Sequence, residues 1–563
     1  MIRRIFSAGT AILASVLLLA IALPQLWYPL WFDQGALAAC ADVLRHGGAL
    51  YRDCWEVRGP AAVLAYTIPM LVSPSPVAIH AFDLLWQVFT ALLLALLAHR
   101  MFGLRAAVVA AVLYWLTYAS INFFAAAQAE SFANLFFVLA LYAGWTATEI
   151  AARPSQRTAW LTISGFCVGV LFWFNYSFAL GGLVPFGIIL ARVAQRRFSQ
   201  PASETTTRSA VAPLRVQPVL LYLLGALAAL VFGLALFAIS GTLPSLQSQI
   251  TYNIAIFHNV PLSARLDWLR TTFWEEIVAF VSNGNTPTAG FKDTVTQLSL
   301  LGRGYPFVFA LMLMGLVAGL FRRNARSATW YGLGYFVVAV AICLWQGHFY
   351  RYLFLIILPA MALLAAGGLA EWQYAAGHAG LRRISILTTV IAVLFFAGAT
   401  VGLIAAMLPW VRDAYDNVVV QRKSTAALYQ ESRLAPYSSL AVELNQRTTP
   451  LDRIVIFSDV PAIYVLAQRP NGTRFPYLRW AHAAGSDAIR DEYTQQFLDD
   501  LTRSRAKYFV VTRTNYPWQE ANFIEVLKSM TAVHDYVERH YHYIGENGPF
   551  LIYERNVTQG ADQ

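Results

Sequence analysis

Charge is what this sequence has least of. Asp, Glu, Lys and Arg together make up 13% of the 563 residues, while 58% are hydrophobic. A soluble globular domain carries about 25% charged residues, so this balance excludes one. Cysteine is scarce too. Of the four, Cys167 and Cys343 fall in apolar runs and read as small core residues, while Cys40 and Cys54 share one polar stretch. No CxxC or Cys/His spacing occurs among them, which leaves out the common zinc sites. A Cys40–Cys54 disulfide and two free thiols both fit the sequence. No internal repeat is evident. The net charge of +10 comes from arginines placed mainly in short loops, which is not the pattern of a nucleic-acid partner.

Long apolar runs are what the chain has instead. Crossing a bilayer takes about 20 apolar residues, and such runs recur from residue 5 to residue 409. The expected fold is an α-helical polytopic membrane protein of about 11 transmembrane helices. They lie near 5–27, 77–98, 106–121, 131–149, 158–174, 177–194, 217–239, 304–321, 328–345, 351–370 and 384–409. The first run follows MIRR with no clear small-residue cleavage site, so it reads as a retained helix rather than a signal peptide. Pro60–Val72 is apolar but short, and is expected to lie at the interface. With the amino terminus in the cytoplasm, every cytoplasmic loop is basic, as the positive-inside rule requires. Residues 28–76, 240–303 and everything after 410 are then external, and 198–216 forms a flexible cytoplasmic loop.

Two domains are expected, a transmembrane domain over 1–410 and a small α/β extracytoplasmic domain over 411–563. In the second, DRIVIFSD, AKYFVVTR and GPFLIYER are β-branched or aromatic runs that read as strands. DAIRDEYTQQFLDDLTR has the periodicity of an amphipathic helix.

The stretch Trp31–Pro60, directly after the first span, gathers Asp33, Asp42, Arg45, His46, Arg52, Asp53, Glu56 and Arg58. Charge near a bilayer is costly, so such a cluster suggests binding or chemistry. Glu130 stands at the outer start of the fourth span, and His348 and Arg351 border the tenth. Helix capping would also account for Glu130, and snorkelling into headgroups for Arg351. Acids and cations converging on one membrane face suit a substrate with an anionic head and a lipid tail. Asp42 fits a bridge to Arg45 three residues on. The pair Glu275–Glu276 reads as a solvated helix face outside the site.

The order D33-Q34-G35, then A41-D42-V43-L44 with G47-G48, Y51-R52-D53 and R58-G59-P60, resembles the first external loop of the protein O-mannosyltransferase-like glycosyltransferases. This group includes the lipid A aminoarabinose transferases and belongs to the GT-C superfamily. Q128-A129-E130 is similar to their external acid, and HFYRYLFLIILPAMALLAAGG to the tyrosine–proline stretch of a late helix. There are departures. Gln34 stands where a second carboxylate is frequent, Arg58 where lysine is common, and Asn175 where relatives often have lysine.

The resemblance implies a glycosyltransferase in a bacterial inner membrane, working on the extracytoplasmic face. Its partners are a polyprenyl-phosphate sugar donor, membrane lipids and an envelope acceptor, whether lipid A, glycan, lipid or protein. It implies Asp33 and Glu130 as catalytic residues. Substrate binding falls to Arg58, Tyr51, Asp53, Gln34, His348 and Arg351. No cofactor is certain; a divalent cation, if present, would fall to Asp33 and Glu130, though the missing second carboxylate weakens that site. Asp53 fits loop folding as well as substrate contact. Two alternatives stand beside the transferase: a transporter or flippase of lipid-linked sugar, and a non-catalytic sugar-binding membrane protein. Transporters place polar groups near the midplane, whereas here the mid-span regions read as apolar.

Overall fold

The computed structural model describes residues 16–121, 125–151, 153–198, 216–258, 261–267, 270, 305–321, 325–346, 351–375, 382–431, 434–482, 486–513 and 522–556. Among these, seven helices are long and apolar enough to cross a membrane: Pro76–Phe102, Ala129–Ile150, Pro154–Phe174, Tyr176–Gln195, Gln217–Ile239, Arg326–Gln346 and Leu387–Val420. The pair Val16–Trp27 and Phe32–Arg45, bent by 78°, adds an eighth if it is one span. The count is therefore 7 or 8, not about 11. The other three expected spans coincide with the shorter apolar helices Leu104–Ala119, Phe307–Leu320 and Tyr352–Gly368. At 1.5 Å per residue a 16-residue helix rises about 24 Å, short of a hydrocarbon core about 30 Å thick.

The helices expose apolar side chains outward and bring small residues together inside. Leu220, Leu223, Leu224, Leu227 and Val231 on Gln217–Ile239 are all exposed. On its inner side Ala229 meets Gly169 of Pro154–Phe174, Gly225 faces Thr162 and Phe166, and Gly165 faces Tyr222 and Ala226. A side chain at Gly165 or Gly225 would strike the facing backbone, so the close approach depends on small residues four apart. Pro60–Val72 is a helix with one buried side, including Ala62, Val63 and Tyr66, and an exposed apolar stripe of Leu64, Ile68 and Leu71.

The expectation of apolar mid-span regions fails at one helix. His80, Asp83, Gln87 and Thr90 on Pro76–Phe102 are all buried. Their spacing of three or four puts them on one face. Asp83 accepts hydrogen bonds from Tyr118 Oη (2.5 Å), Gln87 Nε2 (2.9 Å), Ala127 N (3.1 Å) and Ser131 Oγ (3.3 Å). Tyr118, Ala127 and Ser131 come from the 125–128 turn and the segments on either side of it, so the network ties that turn down.

The carboxy-terminal part contains a four-stranded mixed sheet in the order β1-β2-β4-β3. Its strands are β1 (Ile454–Phe457), β2 (Tyr508–Thr512), β3 (Tyr541–Asn547) and β4 (Phe550–Arg555). β1 pairs with β2 in parallel; β4 runs antiparallel to both β2 and β3. The three expected strands are β1, β2 and β4. β3 was missed because YHYIGEN is a largely solvent-facing edge strand with an irregularity between Tyr543 and Gly545, so it lacks a buried apolar run. Helix Asp487–Ser504 packs through Tyr493, Phe497 and Leu501, spaced four apart as its periodicity predicts. The expected boundary at 410–411 falls within the helix Leu387–Val420.

Candidate active site

The polar stretch after the first span begins as a helix. Asp33 lies in the first turn of Phe32–Arg45, and Asp42 bridges Arg45 at 2.7 Å. Gln34 accepts from Trp31 N (2.6 Å) and donates to Ala126 O (2.7 Å). Cys40 and Cys54 form a disulfide that pins the following loop to the helix. Within this loop Asp53 accepts from Ala49 N (2.8 Å) and pairs with Arg52 (2.7 Å). The hydrogen bond from Arg52 holds the Asp53 carboxyl below its usual range. Tyr51, at a φ of 66°, is buried, donates to Arg58 O (2.8 Å) and stacks on Phe237.

The loop ends by placing Arg58 between two carboxylates. Its guanidinium pairs with Asp33 and, at 2.9 Å, with Glu56. Glu56 is fully buried. Burial pushes its carboxyl up from the ordinary glutamate value, against the pull of Arg58.

These groups open onto a cavity of about 360 Å³. Asp33 and Arg58 line it together with Glu130, Asn175, Tyr176, Asn253, Arg265, Gln346, Tyr352, Tyr477 and Arg479. Glu130 arrives in the first turn of Ala129–Trp145, straight after Ala127, whose φ is 54°. That left-handed turn costs energy for a residue with a Cβ. It is clamped by Asp83 on its N–H and by Tyr66 Oη on its carbonyl at 2.7 Å. Arg265 donates to Leu344 O (3.1 Å) and Trp345 O (2.6 Å) at the end of helix Arg326–Gln346.

The carboxy-terminal part forms one wall. Trp55 N donates to Arg474 O (2.6 Å). Tyr477 Oη donates to Glu56 (3.3 Å) and accepts from Val57 N (3.2 Å). Trp55 and Tyr252 share a buried aromatic cluster with Phe475, Tyr477, Trp480 and Tyr493.

Of the residues expected in the site, the fold brings Asp33, Arg58 and Glu130 to the cavity. Gln34, Tyr51 and Asp53 lie outside its walls, because their polar atoms are held by backbone groups and by Arg52. His348 and the Glu275–Glu276 pair lie outside the described residues. Arg351 opens the short helix Arg351–Ile357, and its side chain lies outside them too. Glu56, Asn253, Arg265, Gln346, Tyr477 and Arg479 were not anticipated as site residues. Gln346 was adjacent to a quoted motif, in WQGHFYRYLF, but PYLRW around Arg479 carries no signal. Among the described residues no group of three His, Cys, Asp or Glu side chains is placed to hold a metal ion. Asp33 is turned to Arg58 instead, so the donor set does not fit a cation.

The fold resembles that of solved membrane proteins of low sequence identity. The solved structure of ArnT from Cupriavidus metallidurans bound to undecaprenyl phosphate superposes with a TM-score of 0.55 at 13% identity, covering 99% of each chain. Its apo form gives 0.53 at 12%, covering 99% of this chain and 100% of that one. The family model for dolichyl-phosphate-mannose-protein mannosyltransferase matches residues 60–222. This stretch includes Glu130 but begins after Asp33 and Arg58. No curated protein matches the sequence.

Proposed function

We propose that the protein is an integral membrane glycosyltransferase that moves a sugar from a polyprenyl-phosphate donor to an acceptor of the cell envelope, on the extracytoplasmic face. The observation that carries this reading is the cavity itself. Asp33, Glu130, Arg58, Arg265 and Arg479 come from separate segments of the chain and line one chamber. The fold likeness to a protein solved with undecaprenyl phosphate bound supports the choice of lipid. We further propose that the amino terminus lies in the cytoplasm and the carboxy-terminal sheet on the extracytoplasmic face. The Cys40–Cys54 disulfide supports an oxidising compartment for the first loop.

In the proposed reaction the acceptor hydroxyl oxygen attacks the anomeric carbon. The bond from that carbon to the phosphate oxygen breaks, and its electron pair leaves with the polyprenyl phosphate. The hydroxyl proton passes to the Asp33 carboxylate. Arg58 orients Asp33 through their ion pair. Arg265 and Arg479, which line the same chamber, face the leaving phosphate. Glu130 holds sugar or acceptor. The exposed stripe Leu64, Ile68 and Leu71 suits a polyprenyl tail.

Sugar transfer in liposomes from radiolabelled polyprenyl-phosphate sugars to envelope extract tests this. Wild type should transfer, and Asp33→Asn should lose at least about 100-fold in rate, the scale of a general base, while remaining inserted. Full turnover by the variant would remove Asp33 from the chemistry. Movement of labelled lipid across the membrane without transfer would favour a flippase.

A further inference from the structure

Three cavity-lining side chains have polar atoms left over. Glu130 Oε2, Asn253 Oδ1 and Gln346 Nε2 are buried and lack a hydrogen-bond partner among the described residues. The three residues are 4%, 6% and 4% exposed. Leaving a buried donor or acceptor unmade is costly, so three around one chamber ask for a ligand that completes them.

Neighbouring bonds settle which atoms remain. Asn253 Nδ2 donates to Val57 O at 2.8 Å, which leaves its oxygen. Asn175 Nδ2 donates to Gln346 Oε1 at 3.4 Å, which leaves the Gln346 nitrogen. Asn175 is itself oriented, its Oδ1 accepting from Ser177 N (3.0 Å) and Ser177 Oγ (2.8 Å). The remaining set is two acceptors and one donor. A simple anion would satisfy only the donor, and a simple cation only the acceptors. A hydroxyl both donates and accepts, so a ring bearing several hydroxyls satisfies all three.

We infer that Glu130, Asn253 and Gln346 form the subsite for the donor's sugar ring and read its hydroxyl groups, with Asn175 as a positioning residue for Gln346. This rests on the polyprenyl-phosphate reading above. Arg265 and Arg479 share the chamber, so the phosphate lies beside the sugar.

The test is equilibrium binding to the full-length protein in lipid nanodiscs. The probes are bare polyprenyl phosphate and polyprenyl-phosphate-linked mannose, glucose, galactose and N-acetylglucosamine. At least one sugar-linked lipid should bind 10-fold or more tighter than the bare lipid. Gln346→Leu and Gln346→Met, which both remove the free N–H without adding charge, should cut that advantage about 10-fold and leave bare-lipid affinity unchanged, which also reports folding. Deoxy analogues of the best sugar should include one that loses affinity on wild type and loses nothing further on the variants.

Bare and sugar-linked lipids binding alike to wild type would overturn this inference while leaving the transferase reading intact. Absence of binding to any polyprenyl phosphate would overturn both. Variants that weaken the bare lipid equally would show a structural role for Gln346. An advantage seen with free envelope glycan, and not with lipid-linked sugar, would move the subsite to the acceptor and overturn its assignment to the donor.

Discussion

Arg58 decides the electrostatics of the cavity at the scale of single residues. Pairing with both Asp33 and Glu56 spends its charge inside the protein. Breaking one partner from a buried ion pair costs about 3–5 kcal/mol, so the trio is a rigid mount for Asp33. Glu56 makes a prediction about pH. Its folded-state value is raised by burial above the unfolded value, near 4.3 for an ordinary glutamate. The contribution of the protonated form is then fully present below that value and is lost as pH rises through the folded value. Glu56→Gln does not titrate. The thermal-shift gap between wild type and Glu56→Gln should therefore move in the variant's favour as pH rises. The opposite trend would mean that the Arg58 pairing outweighs burial.

At the scale of elements, two close contacts place the acids. A Cβ on Gly35 would lie 2.6 Å from Ala462 N, so helix Phe32–Arg45 meets helix Ala462–Ala467 only because residue 35 has no side chain. Gly35→Val should misplace Asp33 without touching the cavity. The expected result is loss of most transfer and a lower melting temperature, with overpacking costing about 1–3 kcal/mol; unchanged values would show that the contact yields easily. The turn before Glu130 depends on Asp83, which accepts three hydrogen bonds from it and its flanking segments. Both features were partly readable. Gly35 stood in the D33-Q34-G35 motif, and His80, Asp83, Gln87 and Thr90 recur with helical spacing. Hydropathy averaged over a window hid the polar stripe, since one polar residue per turn leaves a helix strongly apolar.

For the whole molecule, the carboxy-terminal sheet and the first loop share one aromatic core. The site is therefore completed by residues more than 400 positions apart, such as Glu56 and Tyr477. The proposed topology predicts that a carboxy-terminal alkaline phosphatase fusion is active. It also predicts that the 198–216 loop is cut by protease only from the cytoplasmic side. An inactive fusion with a fluorescent cytoplasmic reporter in its place would invert the arrangement.

Sequence alone determined the positions of the apolar helices, the sheet strands with buried faces, and the two acids Asp33 and Glu130 as residues that the fold brings to one cavity. All of these follow from local composition, periodicity or a short motif. Tertiary structure decided the rest: that Cys40 and Cys54 pair, that Arg58 is neutralised, that Gln34, Tyr51 and Asp53 stay outside the cavity, and that Arg265, Arg479, Asn253 and Gln346 line it. The physical reason is that partner choice for a polar group depends on which distant segments pack beside it. No local pattern records that choice.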